Sequence, residues 1–146
     1  MTVYLLGNKV AKKIIKRCPE AILESNDEAI LIESDSLFDV IEYLKNEADF
    51  EFNYLNHITA VDYYQYFELV YLLTSMKHNH SVVIKTRCHN RISPSVRSVV
   101  GLYKGADFQE REIYDLMGIS FEGHPNLKRI ALWDGFDGHP LRRDYL

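Results

Sequence analysis

Residues 107–145 constrain the fold more than any other part of this sequence, because they contain a helix whose two ends are both marked. Asp107 and Glu110 have the spacing of a capping box, which predicts that the helix begins at Asp107. Gly118 predicts the end of the helix, since glycine readily adopts the left-handed conformation that closes a helix. The segment therefore starts with a helix of about three turns.

The rest of this segment is built from two similar turns. The tripeptide Gly-His-Pro occurs at residues 123–125 and again at residues 138–140. A leucine and a pair of basic residues follow each copy, Lys128-Arg129 after the first and Arg142-Arg143 after the second. So many charges on so little regular structure predict an ion-paired scaffold or a docking surface.

The acidic residues of the helix are the expected partners of these bases. Arg111 and Asp115 are four residues apart, so we expect them to pair along the helix surface. Glu110 and Glu112 point about 200° apart on a helix, which argues against a joint catalytic role. We expect each of the two glutamates to meet a separate basic residue, for which Lys128, Arg129, Arg142 and Arg143 are available. Several of these pairs are expected inside the chain, and the remainder would cross to a partner.

This segment resembles the 30 kDa subunit of respiratory complex I, which is designated C in the bacterial NADH-quinone oxidoreductase and J in the chloroplast-type enzyme. The family pattern is Glu-Arg-Glu, an acid, Gly-Ile, Gly-His-Pro, an arginine, and a closing Gly-His-Pro-Leu-Arg-basic-Asp-Tyr. It matches here over about forty ordered positions, and a weaker similarity covers residues 55–76. The matching positions at the signature and its expected partner interface are Glu110, Arg111, Glu112, Asp115, Gly118, His124, Pro125, Arg129, His139, Pro140, Arg142, Asp144 and Tyr145.

The resemblance implies a subunit with no catalytic residue and no cofactor of its own. In that family the protein belongs to the peripheral arm of an NADH:quinone oxidoreductase that couples electron transfer to proton translocation. It lies against the 49 kDa-type large subunit, with the small cluster-bearing subunit nearby, and braces the quinone-reducing module. The resemblance thus implies that iron–sulfur clusters, flavin and quinone are held by partner subunits, and that contact with the membrane is made only through the complex.

Two alternatives remain open at this stage. A homologous small subunit with the same motifs occurs in energy-converting, membrane-bound nickel-iron hydrogenases. From a different class, His124 and His139 could converge with Glu110, Glu112 or Asp115 as the metal site of a stand-alone hydrolase. Against this second alternative, both histidines lie between glycine and proline, in turns where the imidazole ring is expected to bond nearby backbone.

Periodicity along the rest of the chain predicts an α+β fold, with a mostly antiparallel sheet, packed helices and a long irregular C-terminal arm. We expect a single domain over residues 1–146, with an α+β body at 1–103 and the signature helix and docking arm at 104–146. Helices are predicted at 8–17, 37–48 (capped by Asp35-Ser36) and 95–103, and strands at 21–23, 29–32, 52–61, 66–76 and 82–86.

Composition narrows the class of protein further. A formal net charge of −4 argues against a general nucleic-acid-binding protein. Two cysteines cannot supply the four thiolates of an iron–sulfur cluster, and their separation is typical of reduced thiols. The first residues lack a signal-peptide pattern, and no apolar run approaches the roughly 20 residues of a membrane span. We therefore expect the chain to stay in the cytoplasm. The resemblance to the complex I subunit further implies a peripheral position at the cytoplasmic face of the cell membrane.

Overall fold

A mixed β-sheet with its core on one face organises the computed structural model, which describes residues 2–145. The first and last residues of the predicted domain 1–146 lie outside the described residues. In chain order the elements are β1 (Val3–Tyr4), α1 (Gly7–Arg17), β2 (Ile22–Ser25), β3 (Ile30–Ile32), a 3-10 turn (Ser34–Ser36), α2 (Leu37–Asn46), β4 (Tyr54–Asp62), β5 (Phe67–Ser75), β6 (His80–Cys88), β7 (Ser95–Arg97), α3 (Ala106–Met117) and β8 (Ser120–Glu122).

Long hairpins form the centre of the sheet. Strands β4, β5 and β6 pair antiparallel over almost their whole length, in the strand order β2-β3-β6-β5-β4. Strands β1 and β3 both lie parallel to β6, and β7 pairs parallel with β8 in a separate two-stranded sheet. The predicted α+β class and the mostly antiparallel sheet are therefore confirmed.

The apolar residues at alternate positions of β5 place the core on one face of the sheet. Phe67, Leu69, Tyr71 and Leu73 are fully buried, as period-two patterning requires for a half-covered strand. They join one hydrophobic cluster to which α1, α2 and α3 contribute apolar residues. The contributing helix residues are Val10, Ala11, Ile14, Leu37, Val40, Ile41, Leu44, Ala106, Ile113 and Met117.

The predicted helix over residues 95–103 is wrong. Ser95–Arg97 form strand β7 instead, and the amide of Ser98 continues the pairing by donating to the carbonyl of Glu122 at 2.8 Å. The apolar valines that suggested a helix are buried because a strand and the turn after it both face the core. Tertiary pairing has overridden local periodicity here.

The predicted helix caps also differ from the observed ones. No side-chain hydrogen bond caps α2, which instead continues from the 3-10 turn at Ser34–Ser36. Helix α3 begins at Ala106 after Gly105, one residue before the predicted Asp107, and again without a side-chain cap. The remaining helices and strands predicted from the sequence are present, with ends shifted by a few residues.

Gly7 begins α1 where the helix touches the turn between β2 and β3. Its amide donates to the carbonyl of Asp27 at 3.2 Å, and a Cβ placed on it would collide with the backbone oxygen of Asn26. We expect Gly7→Ala to lower the free energy of unfolding by about 1–3 kcal/mol, because backbone must move to accept the methyl group. Urea unfolding followed by circular dichroism would measure this loss.

The matched control is Gly105→Ala, since a Cβ at Gly105 meets no atom within 4 Å. We expect this control to unfold within about 0.5 kcal/mol of the parent chain. Equal stability of the two variants would contradict the close approach of α1 to the turn.

Candidate functional site

The C-terminal end of α3 is the point from which the arm, residues 123–145, is held in place. Gly118 ends the helix with a φ of 75°, as the sequence predicts, and its amide donates to the carbonyl of Tyr114 at 2.9 Å. The ring of His139 packs into the space that a side chain would occupy, with its Cδ2 2.7 Å from an ideal Cβ position. A glycine at this position therefore satisfies both the backbone conformation and the close approach of the arm.

Asp115 lies on α3 with its side chain fully buried, and it organises the arm. Its Oδ1 accepts a hydrogen bond from Arg129 Nη1 at 2.7 Å. Its Oδ2 accepts three backbone amides, from Ile130 at 3.1 Å, Ala131 at 2.7 Å and Leu132 at 2.8 Å. Three consecutive amides that converge on one oxygen form a small anion-binding concavity. The carboxylate thus fixes both a side chain and a stretch of backbone.

Arg129 also bonds the backbone at several points, on α3 and along the arm. Its Nη1 also donates to the carbonyl of Asp115 at 2.9 Å, while Nη2 donates to the carbonyls of Phe136 at 3.0 Å and Gly138 at 2.8 Å. His139 Nδ1 donates to the carbonyl of Asp115 at 2.8 Å. We call Asp115, Arg129 and His139 the arm anchor.

The arm anchor sets the charge state of Asp115. Burial on its own would raise the pKa of this carboxyl, but the bonds from Arg129 and from the amides of Leu132, Ala131 and Ile130 outweigh it. The pKa of Asp115 falls to about 2 as a result. The carboxylate is therefore ionised at neutral pH, and its charge stabilises the folded arm.

The ion pairs predicted inside the chain for Arg111 and the two glutamates are wrong. Arg111 donates to the carbonyls of Lys128 and Arg129, both at 3.2 Å, because Arg129 and three amides already occupy the carboxylate of Asp115. Glu112 is exposed and makes no ion pair or hydrogen bond with any side chain in residues 2–145. Glu110 forms no ion pair with a lysine or arginine in residues 2–145 either, since its side chain is buried in the core.

Glu110 links α3 to the segment after β7. Its carboxylate accepts the hydroxyl of Ser98 at 2.5 Å and the amide of Val99 at 2.9 Å, and its side chain is fully buried. Burial raises the pKa of Glu110, and the two hydrogen bonds only partly oppose this shift. Because Glu110 turns inward to these partners, it is not available for the predicted capping box.

The two histidines do not converge. His124 Nε2 donates to the carbonyl of Asp107 at 3.2 Å, and its Nδ1 accepts the amide of Asn126 at 3.0 Å. Nε2 also lies 3.1 Å from Oδ1 of Asp107, so both ring nitrogens are occupied by groups of this chain. His139 instead binds the carbonyl of Asp115 near the other end of α3. Asp115 is eight residues, or about 12 Å, along the helix from Asp107. Both rings bond nearby backbone, as their place between glycine and proline predicts.

No metal site emerges from this arrangement. Within residues 2–145, no three His, Cys, Asp or Glu side chains are grouped so that they share a metal ion. Both cysteines are free thiols, and burial raises the pKa of Cys88 to about 11. The chemical role of the site is to hold the arm to the body of the same chain, through charged hydrogen bonds.

A second cluster holds the end of the arm against the sheet, and we call it the Asp62 cluster. Asp62, buried at the end of β4, binds Arg91 through two hydrogen bonds of 2.6 and 3.0 Å. It also accepts the amide of Arg143 at 2.9 Å. Asp144 bridges Arg91 and Arg142 at 3.2 Å each, and Arg142 Nη2 donates to the carbonyl of Arg91 at 2.7 Å.

The sequence alone did not point to Asp62 and Arg91 as part of the site. The hydrogen bonds from Arg91 hold the pKa of Asp62 well below its usual range, against the opposing effect of burial, and the amides of Arg143 and Tyr64 add to the shift. Asp62 falls within the weaker similarity at residues 55–76, which was the available signal. Arg91 gave no signal, because only the fold brings it near the arm.

The other predicted positions lie on the surface of the arm. Pro125 is exposed, and Pro140 is half-buried beside the arm anchor. The ring of Tyr145 stacks on Phe136 with centroids 6.4 Å apart and packs against Gly138. Large apolar side chains stand exposed on α3 and the arm, namely Phe108, Ile130, Trp133, Leu141 and Tyr145.

Comparison with known proteins agrees with the motifs of this arm. Residues 30–146 match the family described as respiratory-chain NADH dehydrogenase, 30 Kd subunit. The C-type subunit of an NADH-quinone oxidoreductase from Roseiflexus sp. is 35% identical over 142 residues, covering 92% of this chain and 81% of the relative. A mitochondrial NADH-ubiquinone oxidoreductase 30.4 kDa subunit from Neurospora crassa is 44% identical over 119 residues. That match covers 80% of this chain but only 41% of the longer relative.

A solved structure shares the fold over nearly the whole chain. It is a chain of the membrane-bound sulfane sulfur reductase, an archaeal respiratory membrane complex. The TM-score is 0.74 at 26% sequence identity, over 94% of this chain and 84% of that one. The fold seen here thus also occurs in a respiratory membrane complex of another specificity.

The low pKa of Asp115 predicts how stability depends on pH. The carboxyl binds a proton more readily in the unfolded chain, so its contribution is fully present above about pH 4 and is lost as the pH falls through 2. A shift from 3.8 to about 2 corresponds to about 2 kcal/mol. We expect Asp115→Asn to be destabilised at pH 7, and to lose about 2 kcal/mol less than the parent chain between pH 4 and pH 2.

Urea unfolding at a series of pH values would measure both effects. The control is Asp137→Asn, which removes an exposed carboxylate from the same arm that makes no ion pair within residues 2–145. We expect the control to follow the parent curve. An Asp115→Asn variant with an unchanged pH profile would contradict the role of the arm anchor.

Proposed function

Because the chain belongs to the family of the 30 kDa subunit of respiratory-chain NADH dehydrogenase, we propose that it is a non-catalytic peripheral-arm subunit of a complex I type NADH:quinone oxidoreductase. In this role it braces the quinone-reducing module while electron transfer is coupled to proton translocation. Its contribution is mechanical: it supplies a rigid surface on which partner subunits are positioned.

One observation carries this proposal, which is that the arm is rigidly anchored and yet exposes apolar side chains. The arm anchor and the Asp62 cluster fix its backbone from inside the chain. Trp133 is 69% exposed and Leu141 60% exposed on the same arm. Exposed aromatic and aliphatic side chains rimmed by charges are typical of a surface that binds another protein. An ordered surface of this kind binds without a large entropic cost of ordering.

We assign the partners accordingly. The arm and the exposed face of α3 contact the 49 kDa-type large subunit, and the small cluster-bearing subunit lies nearby. Iron–sulfur clusters, flavin and quinone are held by partner subunits in this proposal, since two cysteines are too few for a cluster. The family-pattern positions Glu112, Pro125 and Tyr145 are exposed, which supports our assignment of these three residues to the partner surface.

Attachment to the membrane is indirect in this proposal. No helix in residues 2–145 is both long enough and apolar enough to span a bilayer. We propose that the protein reaches the cytoplasmic face of the membrane through its partners, as a peripheral component of the complex.

A second function is favoured by the shared fold of the archaeal sulfane sulfur reductase chain. The same bracing role fits a membrane complex that uses another electron acceptor, or an energy-converting nickel-iron hydrogenase. The activity and the nickel content of the purified complex distinguish the NADH:quinone oxidoreductase, the sulfane sulfur reductase and the nickel-iron hydrogenase. We expect NADH:quinone activity without bound nickel, whereas stoichiometric nickel would assign the hydrogenase, and reduction of sulfane sulfur would assign the reductase.

Arg129 and its neighbour Lys128 provide the test of the bracing role. Arg129→Ala removes four hydrogen bonds that hold the arm, and it leaves the buried carboxylate of Asp115 without its cation. We expect affinity for the complex to fall about 5- to 150-fold, equivalent to about 1–3 kcal/mol, because the arm loses its fixed shape. The measurement is the amount of partner subunits that co-purify with the tagged chain from gently solubilised membranes.

Lys128→Ala is the matched control, because it removes the same charge from the neighbouring residue. The side chain of Lys128 is exposed and makes no ion pair within residues 2–145. Circular dichroism of both variants would show that the sheet and helices remain folded. Normal co-purification of Arg129→Ala, or a parent chain that purifies alone, would contradict the proposed function.

A further inference from the structure

Strand β4 ends the sheet and has an open edge. It pairs with β5 on one side, and on the other side it has no strand neighbour in residues 2–145. Ile58 shows which backbone groups face outward, because its amide donates to the side-chain oxygen of Gln109 on α3 at 2.6 Å. Backbone direction alternates along a strand, so the amide and the carbonyl of Ala60 point to the same open edge.

A groove runs between this edge and α3. It is lined by Ile58, Thr59 and Ala60 of β4, by Ile113 and Leu116 of α3, and by Leu141 of the arm. Its volume is about 240 Å³, which is below the roughly 300–1,000 Å³ of pockets that hold small molecules. A few apolar side chains fill such a groove better than a cofactor does. Leu141 makes the groove continuous with the surface of the arm, since its amide donates to the carbonyl of Leu116 at 2.9 Å.

Glu112 gives the groove its charge. It lies on the wall formed by α3, is exposed, and makes no ion pair or hydrogen bond with a side chain in residues 2–145. No basic residue of the arm forms an ion pair with it within residues 2–145, and Arg129 and Arg142 are paired with Asp115 and Asp144 instead. A complementary occupant therefore carries a lysine or arginine opposite this carboxylate.

We propose that the groove binds an extended segment of a neighbouring subunit, which adds a strand to the open edge of β4. The backbone of the segment pairs with Ala60, alternate apolar side chains enter the groove, and one basic side chain meets Glu112. A second copy of this chain is a poor occupant, because a two-fold pairing of identical acidic grooves brings like charges together. The identity of the neighbour as a member of the same complex rests on the proposed function.

Photocrosslinking in the purified complex tests this proposal. A photoreactive amino acid replaces Thr59, which lines the groove and is exposed, and a matched control carries it at Glu24, which is exposed on β2 at the opposite edge of the sheet. We expect Thr59, but not Glu24, to crosslink to an extended peptide that contains alternating apolar residues and a lysine or arginine. Mass spectrometry of the crosslinked peptides identifies that segment.

Hydrogen exchange gives an independent measurement. We expect the amide of Ala60 to exchange at least tenfold more slowly in the complex than in the isolated chain, because pairing protects it. The amide of Ile58 is the internal reference, since it already has a partner in the isolated chain. We also expect Glu112→Lys to lower the crosslinking yield at least tenfold, and reversal of the charge on the identified basic residue to restore it.

The outcomes separate this inference from the proposed function. An intact complex in which Thr59 gives no crosslink, crosslinks to a second copy, or crosslinks to a helical segment would overturn the inference alone. Unchanged exchange at Ala60 in an intact complex would do the same. A chain that never co-purifies with other subunits would overturn the proposed function and this inference with it.

Discussion

The carboxylate of Asp115 is the interaction on which the shape of the C-terminal half depends. One buried side chain accepts a guanidinium and three consecutive amides, and its own carbonyl accepts a histidine and the same arginine. Without regular secondary structure in residues 123–145, the arm has few other ways to satisfy its backbone. A charged group replaces the helix or strand that would otherwise order this segment.

The Asp62 cluster fixes the arm at its other end by a different combination of forces. Arg91 and Arg142 both lie over the ring of Phe67, at 4.6 and 5.0 Å from its centroid. Two cations so close to each other are tolerated because Asp62 and Asp144 neutralise them and the ring attracts both. The arm is therefore held to α3 and to the sheet at once, and its exposed apolar side chains keep a constant position relative to the body.

The sequence predicted those features that depend on neighbours along the chain. Periodicity located α1, α2 and the β4–β5 hairpin, and Gly118 marked the end of α3 correctly. Prediction from the sequence failed where a distant segment determines the local structure. Residues 95–97 pair with β8 and form a strand rather than the predicted helix. The signature residues were identified, but their partners were not. Asp115 was assigned to Arg111, which is four residues away along the helix, whereas its actual partner Arg129 is fourteen residues away and comes close only through the path of the arm. Arg91 and the open edge of β4 follow only from the assembled sheet.

The bond between the amide of Arg143 and Asp62 joins groups 81 residues apart in the chain. A contact of such long range forms slowly, because the entropic cost of closing the loop must be met before the contact stabilises anything. The hairpin that presents Asp62 and the segment that presents Arg91 must both be in place before the arm can settle. Because the arm takes its observed position only when Asp62 and Arg91 are in place, a partner that binds the arm in this position binds fully folded subunits in preference to partly folded ones.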